Sequence, residues 1–260
     1  MRLKPEKPKS EPKPISEAIR SLQADLMRLR NDPEVQRRNL EAKASEARRE
    51  TLAKQLKIDQ AKSLSIIGRR FADRTFENLT VTKANQKAVK VARYVSENPS
   101  HGVIFHGPYG VAKTHMAAAI AHACIARGIP AICNTLNTIF LMARGTFVVG
   151  SKMTEEQYLS RLATVPVLIL DDLGKERLTE WSAQFLWSLV NARYEQNLPI
   201  IGTCNLSLEA FTQRYSTPIP GLDEHTLPSL LDRLNEMVDQ WVEVHGESHR
   251  VRNKSAPTTG

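Results

Sequence analysis

The sequence predicts an α/β fold, in which a three-layer domain with a parallel β-sheet follows a helical N-terminal arm. Apolar runs of strand length, with glycine-rich or acidic residues at their ends, are the observations behind this prediction. The expected strands lie near residues 103–106, 131–134, 166–170, 199–204 and 240–245. At 260 residues, the chain is long enough for one such domain and an appendage.

A glycine-rich loop follows the first expected strand and leads into a run of strong helix formers. Such a loop can wrap its backbone N–H groups around a phosphate, and the helix N-terminus adds partial positive charge. Lys113 would neutralise β- and γ-phosphate charge, and the Thr114 hydroxyl would bind Mg²⁺. The residues assigned to nucleotide binding are Gly107, Pro108, Tyr109, Gly110, Val111, Ala112, Lys113, Thr114 and His115.

One residue of the loop departs from the usual phosphate-binding pattern, which has Gly where Ala112 lies. An alanine held at positive φ costs roughly 1–2 kcal/mol, which a fold of this size can absorb. The loop is therefore interpreted as functional. The opposite interpretation is a nucleotide-insensitive adaptor with an inactive loop, and a measurement of ATP binding would distinguish the two.

Polar residues at the ends of two further strands complete the expected site. Asp171 and Asp172 follow one apolar run, and Asn205 ends another. Because the carboxyl ends of parallel strands meet at one edge of a sheet, these side chains are expected beside the loop. Asp171 would hold Mg²⁺ through water, and Asp172 would polarise the attacking water. Asn205 would orient that water or sense the γ-phosphate.

Five sequence motifs occur in an order typical of one protein family. They are GPYGVAKTH, LILDDLG, GTCN, LLDRL and GESHRVR. This series resembles the DnaC/IstB-like branch of P-loop AAA+ ATPases, which contains helicase loaders and the ATPase helpers of some transposases, and it covers roughly residues 70–254. The resemblance implies that Arg233 is an arginine finger reaching a neighbouring subunit's nucleotide, and that Arg250 holds the sensor-2 position. The helical lid is expected to be reduced or absent.

The resemblance also implies an enzyme that hydrolyses ATP with Mg²⁺ and assembles into a ring or spiral. The nucleotide would lie between subunits. Asp172 stands where most AAA+ proteins have Glu, and its side chain is one methylene shorter. Because this shortens its reach to the attacking water, we expect turnover to be slow and coupled to assembly.

The composition indicates which kind of partner and which cellular compartment to expect. The formal net charge of +8 and the pI of about 9.5 are typical of proteins with a polyanionic partner. The cysteines lie far apart without metal-ligand spacing, which predicts buried free thiols in a reducing compartment. No signal sequence or membrane-spanning stretch is visible, so the expected location is the cytoplasm, in a bacterium or encoded by its phage.

Residues 1–69 are predicted to form a basic, partly disordered helical arm that binds a partner, and residues 70–260 the ATPase domain. Lys, Pro and Glu dominate residues 1–14, which predicts disorder, and helices are expected over 16–31 and 34–63. The first helix carries an apolar stripe at Ile15, Ile19, Leu22, Leu26 and Leu29. The second helix, another copy or a different protein could cover this stripe. In helicase loaders such an arm grips the hexameric helicase, and in transposition helpers it contacts the transposase.

Two segments on either side of the acidic pair combine aromatic and basic residues, as single-stranded nucleic-acid sites do. One contains Phe147 and Lys152, and the other contains Lys175, Arg177 and Trp181. Taken singly, each aromatic residue is more typical of a core. The resemblance implies that these segments bind single-stranded DNA in the central channel of the ring.

The predicted function is therefore an ATP-dependent loader that brings the replicative helicase to single-stranded DNA. The alternative is an ATPase helper of a transposase, which would clamp duplex DNA, and the ending GESHRVR resembles that subgroup. The two differ in the DNA that they should prefer at a fixed salt concentration. Residues 213–224 are interpreted as an inserted surface loop without an assigned function.

Overall fold

The structure, a computed structural model, describes residues 15–147 and 153–247. The chain divides into two compact units, which part between Gln55 and Leu56. The expected disorder of residues 1–14 lies outside the described part. Within the described ranges, no helix is both long and apolar enough to span a bilayer.

Two helices cover residues 15–64 apart from Asp32, as expected. They are α1 (Ile15–Asn31) and α2 (Pro33–Leu64), and α2 continues past the boundary into the second unit. The carboxylate of Asp32 accepts a 2.8 Å hydrogen bond from the backbone N–H of Glu34, and Pro33 takes the first position of α2. Both features favour the start of a new helix at this point.

The apolar stripe on α1 is exposed. The exposed fractions of Ile19, Leu22 and Leu26 are 50%, 65% and 59%. The structure does not describe the side chains of Ile15 and Leu29, the other two residues of the stripe. Among the described residues, α2 therefore does not bury this stripe in a helical hairpin.

A six-stranded parallel sheet forms the centre of the second unit and confirms the predicted fold class. Its strands are β1 (Ile66–Ile67), β2 (Val103–His106), β3 (Ala131–Thr135), β4 (Val167–Leu173), β5 (Ile200–Cys204) and β6 (Gln240–Glu243). Their spatial order is β1-β3-β4-β5-β2-β6, and every neighbouring pair is parallel. The short edge strand β1 was not expected from the sequence.

Helices cover both faces of this sheet. They are α3 (Gln86–Glu97), α4 (Lys113–Ala126), α5 (Leu136–Gly145), α6 (Glu155–Thr164), α7 (Glu180–Glu195), α8 (Leu208–Tyr215) and α9 (Thr226–Met237), with a 3₁₀ turn at Arg69–Phe71. Side chains alternate between the faces along each strand. Ile104 therefore packs into the cluster with α5 to α9, whereas Phe105 packs into the cluster with α3 and α4. The three layers are therefore the sheet and the two sets of helices that pack on its faces through these clusters.

The strand order determines which loops meet at the carboxyl edge. β5 lies between β2 and β4, so residues after β5 lie between the glycine-rich loop and the acidic pair. In parallel sheets this edge is where ligands bind. After β6 the structure describes only residues 244–247, so the reduced or absent lid stays a prediction.

The predicted surface loop at 213–224 is partly wrong. Its first residues complete α8, and Tyr215 is fully buried among the core residues. The irregular segment begins only after this tyrosine. The cysteines are as expected: Cys124, Cys133 and Cys204 are buried free thiols.

Candidate functional site

A cavity of about 440 Å³ opens at the carboxyl edge of the sheet. This volume lies within the usual range for small-ligand sites. The lining residues come from the glycine-rich loop, the ends of β4 and β5, and the segment before α3. They are Arg70, Arg74, Asn78, Leu79, Thr80, Tyr109, Gly110, Ala112, Lys113, Thr114, His115, Asp172, Lys175 and Asn205.

The loop takes the backbone geometry of a phosphate cradle. Ala112 lies in the left-handed region, at φ 73° and ψ 16°, immediately before the first residue of α4. Gly107 has a φ of 134°, and a Cβ there would lie 2.5 Å from the carbonyl oxygen of Val244. Glycine is therefore required at position 107, while position 112 holds an alanine in a conformation that costs roughly 1 kcal/mol. Despite its alanine, the loop thus adopts the left-handed conformation expected at this position of a phosphate-binding loop.

Lys113 is buried, and its ammonium group turns back onto the loop. Its Nζ donates to the carbonyl oxygens of Gly107, at 2.7 Å, and Pro108, at 2.6 Å. Burial lowers the pKa of Lys113 to about 8. A cation held this way favours an arriving anion, because a phosphate would restore the charge interactions that burial removes.

Asp171 lies at the bottom of the site, fully buried. Its Oδ1 accepts hydrogen bonds from the hydroxyls of Thr203, at 2.6 Å, and Thr114, at 2.8 Å. Its Oδ2 has no hydrogen-bond partner among the described residues and faces Arg70 Nη2 at 3.6 Å. Burial raises the pKa of Asp171, while the two hydroxyls oppose that effect.

These features test whether Mg²⁺ and a nucleoside triphosphate fit the site. Hydroxyl and carboxylate oxygens are the ligands that Mg²⁺ prefers. The Thr114 hydroxyl and the Asp171 carboxylate lie together, and one buried oxygen of that carboxylate lacks a hydrogen bond. The loop above them supplies backbone N–H groups, the N-terminus of α4 and Lys113 for phosphate. The residues present therefore fit both groups.

Asp172 projects differently from its neighbour because its backbone is left-handed, with a φ of 62°. The pairing of β4 with β5 shifts register between Leu170 and Leu173, at the same point. The side chain reaches the cavity, where Oδ1 accepts from Asn205 Nδ2 at 3.4 Å and from Lys175 Nζ at 2.6 Å. A strained backbone at this position is common in functional sites.

Sequence reasoning missed two residues that contact the acidic pair. Arg70 Nη1 lies 3.9 Å from Asp172 Oδ2, in addition to its contact with Asp171. Thr203 joins the pair, since it donates to Asp171 and accepts from the backbone N–H of Asp172 at 2.9 Å. The signal for Thr203 was present, because it lies in β5 two residues before Asn205, which follows that strand. No local pattern identifies Arg70, which lies in the turn after the outer strand β1.

His115 and Tyr109 both line the cavity but contact different residues. The imidazole Nε2 of His115 lies 2.8 Å from the carbonyl oxygen of Thr75 and 2.9 Å from Asn78 Oδ1. It thus joins α4 to the segment before α3. The ring of Tyr109 is 60% exposed and lies under the ammonium group of Lys175, 5.0 Å from it.

Of the two arginines assigned from the family resemblance, only Arg233 is among the described residues. Arg233, on α9, does not line the cavity; its guanidinium carbon is 5.6 Å from the ring centre of Trp187 and 5.7 Å from that of Tyr194. It also donates to the hydroxyl of Ser229. Arg250 lies outside the described residues.

The residues expected to bind DNA have different environments. Phe147 is 61% exposed, whereas Trp181 is half-buried and packs against Phe140 and Phe185. The guanidinium carbon of Arg144 lies 4.6 Å from the centre of the Trp181 ring.

The basic residues of the two segments also differ from one another. Arg177 is exposed, and Lys152 lies outside the described residues. Lys175 lines the nucleotide cavity, a placement that the DNA-binding expectation did not include.

Comparison with known proteins identifies relatives of two kinds. The replicative helicase loader DnaC of Escherichia coli (strain K12) is 26% identical over 182 residues, which cover 68% of this chain and 69% of DnaC. A Mycobacterium tuberculosis protein, named as an ATP-binding protein in an insertion sequence, is 30% identical over 221 residues, or 82% of this chain and 80% of that protein.

A solved structure with a similar fold and a sequence model of one family also match the chain. The crystal structure of DnaI has a TM-score of 0.58 at 22% identity, with 74% of this chain and 100% of that chain covered, and shares its fold. The sequence model of the IstB-like ATP binding protein family matches residues 40–257. The protein therefore belongs to the IstB-like ATP binding proteins, within the DnaC/IstB-like branch of AAA+ ATPases.

Proposed function

We propose that the protein is a slow, Mg²⁺-dependent ATPase that loads a replicative helicase onto single-stranded DNA. The observation that carries the ATPase part is the meeting of the glycine-rich loop with Asp171, Asp172 and Asn205 at one cavity. The helicase part is supported by the relatives named as helicase loaders.

Each residue of the cavity has a role in this proposal. Lys113 binds the β- and γ-phosphates, and Thr114 and Asp171 hold Mg²⁺, which neutralises phosphate charge when bound. Asp172 accepts a hydrogen bond from the attacking water, and Asn205 orients that water. Turnover is slow because the aspartate side chain is short, which limits its reach to the attacking water.

Arg233 is proposed to complete the site of a neighbouring subunit. Replacing Arg233 with Ala is expected to leave nucleotide affinity within about twofold of wild type, because the residue does not line its own cavity. Hydrolysis in the assembled state should fall about a hundredfold or more, as loss of an arginine finger does. Both quantities are measured in parallel, by nucleotide titration and by phosphate release.

Mixing two inactive variants separates a finger from a structural arginine. Arg233→Ala keeps an intact Asp172, and Asp172→Asn keeps an intact Arg233. If one subunit supplies each residue, the mixture regains part of the hydrolysis that both variants lack alone. A mixture that stays inactive while assembling normally would rule out the finger, as would an Arg233→Ala protein with undiminished turnover.

The arm is proposed to bind the helicase through the exposed stripe of α1. Ile19, Leu22 and Leu26 present an apolar face, and amphipathic helices of this kind dock into grooves on partner proteins. Self-association of the ATPase units into a ring or spiral would present several arms to a hexameric partner. Because the arm determines which partner is bound in this proposal, identifying that partner tests the proposal.

Purification of the tagged, full-length protein from its native cell tests the partner. The replicative helicase is expected to co-purify, and a Leu22→Ser, Leu26→Ser variant should lose it while retaining nucleotide binding. Both leucines are exposed, so these changes spare the core. Recovery of a transposase in place of the helicase would overturn the loader proposal.

The proposed DNA surface consists of Phe147, Arg144 and Trp181, with Arg177 and Lys152 as additional cations. An exposed phenylalanine beside an arginine stacked on an indole offers both base stacking and phosphate contact. As a loader the protein should prefer single-stranded over duplex oligonucleotides of equal length at one salt concentration. Preference for duplex, together with bending, favours the other function.

That second candidate is an ATPase helper of a transposase, which clamps duplex DNA. The relative encoded in an insertion sequence favours it, at 30% identity over 82% of this chain, as does the family match. The same ATPase chemistry serves both functions. Only the partner of the arm and the type of DNA differ between them.

A further inference from the structure

Lys175 lines the cavity, although no sequence motif assigns it to nucleotide binding. Its Nζ is 2.6 Å from Asp172 Oδ1, and it lines the same cavity as Lys113 and Thr114. The ring of Tyr109, on the glycine-rich loop, lies 5.0 Å below the ammonium group. Lys175 thus connects the acidic pair to the phosphate loop across the open cavity.

The backbone beneath Lys175 is anchored on both sides. Gly174 has a φ of 84°, and its N–H donates to Glu176 Oε2 at 2.8 Å. Glu176 is buried, with an exposed fraction of 1%, and its Oε1 accepts a 2.5 Å hydrogen bond from the hydroxyl of Tyr215. A glutamate held in the core fixes the residue before it, so the chain presents the lysine side chain toward the cavity. The side chain of Lys175 itself is 35% exposed, so its ammonium group can change partner while the backbone stays in place.

The charges around Asp172 make an exchange of partners possible. Arg70 lies farther from this carboxylate, at 3.9 Å, so Lys175 is its nearest cation. Asp172 must face the terminal phosphate if it positions the water that attacks it. A terminal phosphate carries more negative charge than a carboxylate and offers three acceptor oxygens. It would therefore compete for the ammonium group that Asp172 now holds.

We propose that Lys175 binds the terminal phosphate of a nucleoside triphosphate and leaves Asp172 as it does so. The inference rests on the proposed ATPase function and deepens it. Lys175 is then a specificity residue that distinguishes a triphosphate from a diphosphate. Its departure also frees Asp172 Oδ1 for the attacking water, so the triphosphate itself prepares the carboxylate.

The test compares nucleotide affinities of Lys175→Met with those of wild type, using Mg²⁺ with a non-hydrolysable ATP analogue and, separately, with ADP. Affinity for the ATP analogue is expected to fall about tenfold, as loss of one charge-assisted hydrogen bond would cause. Affinity for ADP should stay within about twofold. Lys175→Arg should keep part of the preference for the triphosphate.

Two controls keep the outcomes distinct. Lys90→Met removes one exposed positive charge from α3, outside the cavity lining, and should change neither affinity. Retained ADP binding by Lys175→Met shows that the variant is folded. Equal losses for both nucleotides, an unchanged affinity for the ATP analogue, or a gain in it would overturn the inference. Failure of wild type to bind either nucleotide would instead contradict the proposed function.

Discussion

Replacing Lys113 with Ala is expected to lower the affinity for ATP by at least about a hundredfold, since two or more charge-assisted hydrogen bonds to phosphate are lost. The buried ammonium group already lies within the loop, where it donates to the carbonyl oxygens of Gly107 and Pro108. A phosphate in the cradle would draw it outward. Titration with a fluorescent ATP analogue measures the loss directly.

Thermal unfolding provides an independent measurement of the same effect. A ligand that binds only the folded state raises the melting temperature, so Mg²⁺ and ATP should stabilise wild type and leave Lys113→Ala unchanged. Lys90→Met serves as the control for loss of charge, and the melting temperature of Lys113→Ala without nucleotide reports any damage to the loop. Wild-type affinity in Lys113→Ala would show that the loop does not bind nucleotide in the proposed way.

Replacing Arg193 with Met is expected to destabilise the second unit by about 3–5 kcal/mol, which would lower the melting temperature by about 10 °C or more. Arg193 lies on α7, and its guanidinium group is fully buried. It donates to the carbonyl oxygens of Leu162, at 2.9 Å, Val165, at 2.7 Å, and Pro199, at 2.6 Å. The variant would leave buried acceptors at the end of α6 and before β4 and β5 without donors.

Chemical denaturation of Arg193→Met and wild type measures this difference in the free energy of unfolding. Lys90→Met again provides the control, because it removes a positive charge from the exposed surface. If the loss in Arg193→Met were as small as in this control, water would have to satisfy the freed carbonyls. The buried guanidinium group would then contribute little to stability.

Much of the nucleotide site could be predicted because its parts are local in the sequence. A strand, a glycine-rich loop and a helix follow one another between residues 103 and 126, and the acidic pair adjoins its own strand. Parallel strands bring their carboxyl ends to one edge, so a reader of the sequence can place these motifs together. The left-handed conformation of Ala112 likewise follows from the loop pattern.

Contacts between distant segments could not be predicted in this way. Arg70 and Thr203 reach the acidic pair from different segments, and although Thr203 lies within the GTCN motif, no pattern indicates its contact with Asp171 or that of Arg70. Arg193 resembles any arginine on an amphipathic helix until the carbonyls around it are known. Lys175 was expected to contact DNA because it lies beside an aromatic residue in a basic segment.

Local patterns and the geometry of parallel strands are sufficient to specify the parallel α/β fold, the phosphate loop and the carboxylates that face it. Which cations those carboxylates contact depends instead on how distant segments pack together. A hydrogen bond depends on the position of both partners in space, and the chain brings Arg70 and Lys175 to the site from 101 and 3 residues away from Asp171 and Asp172.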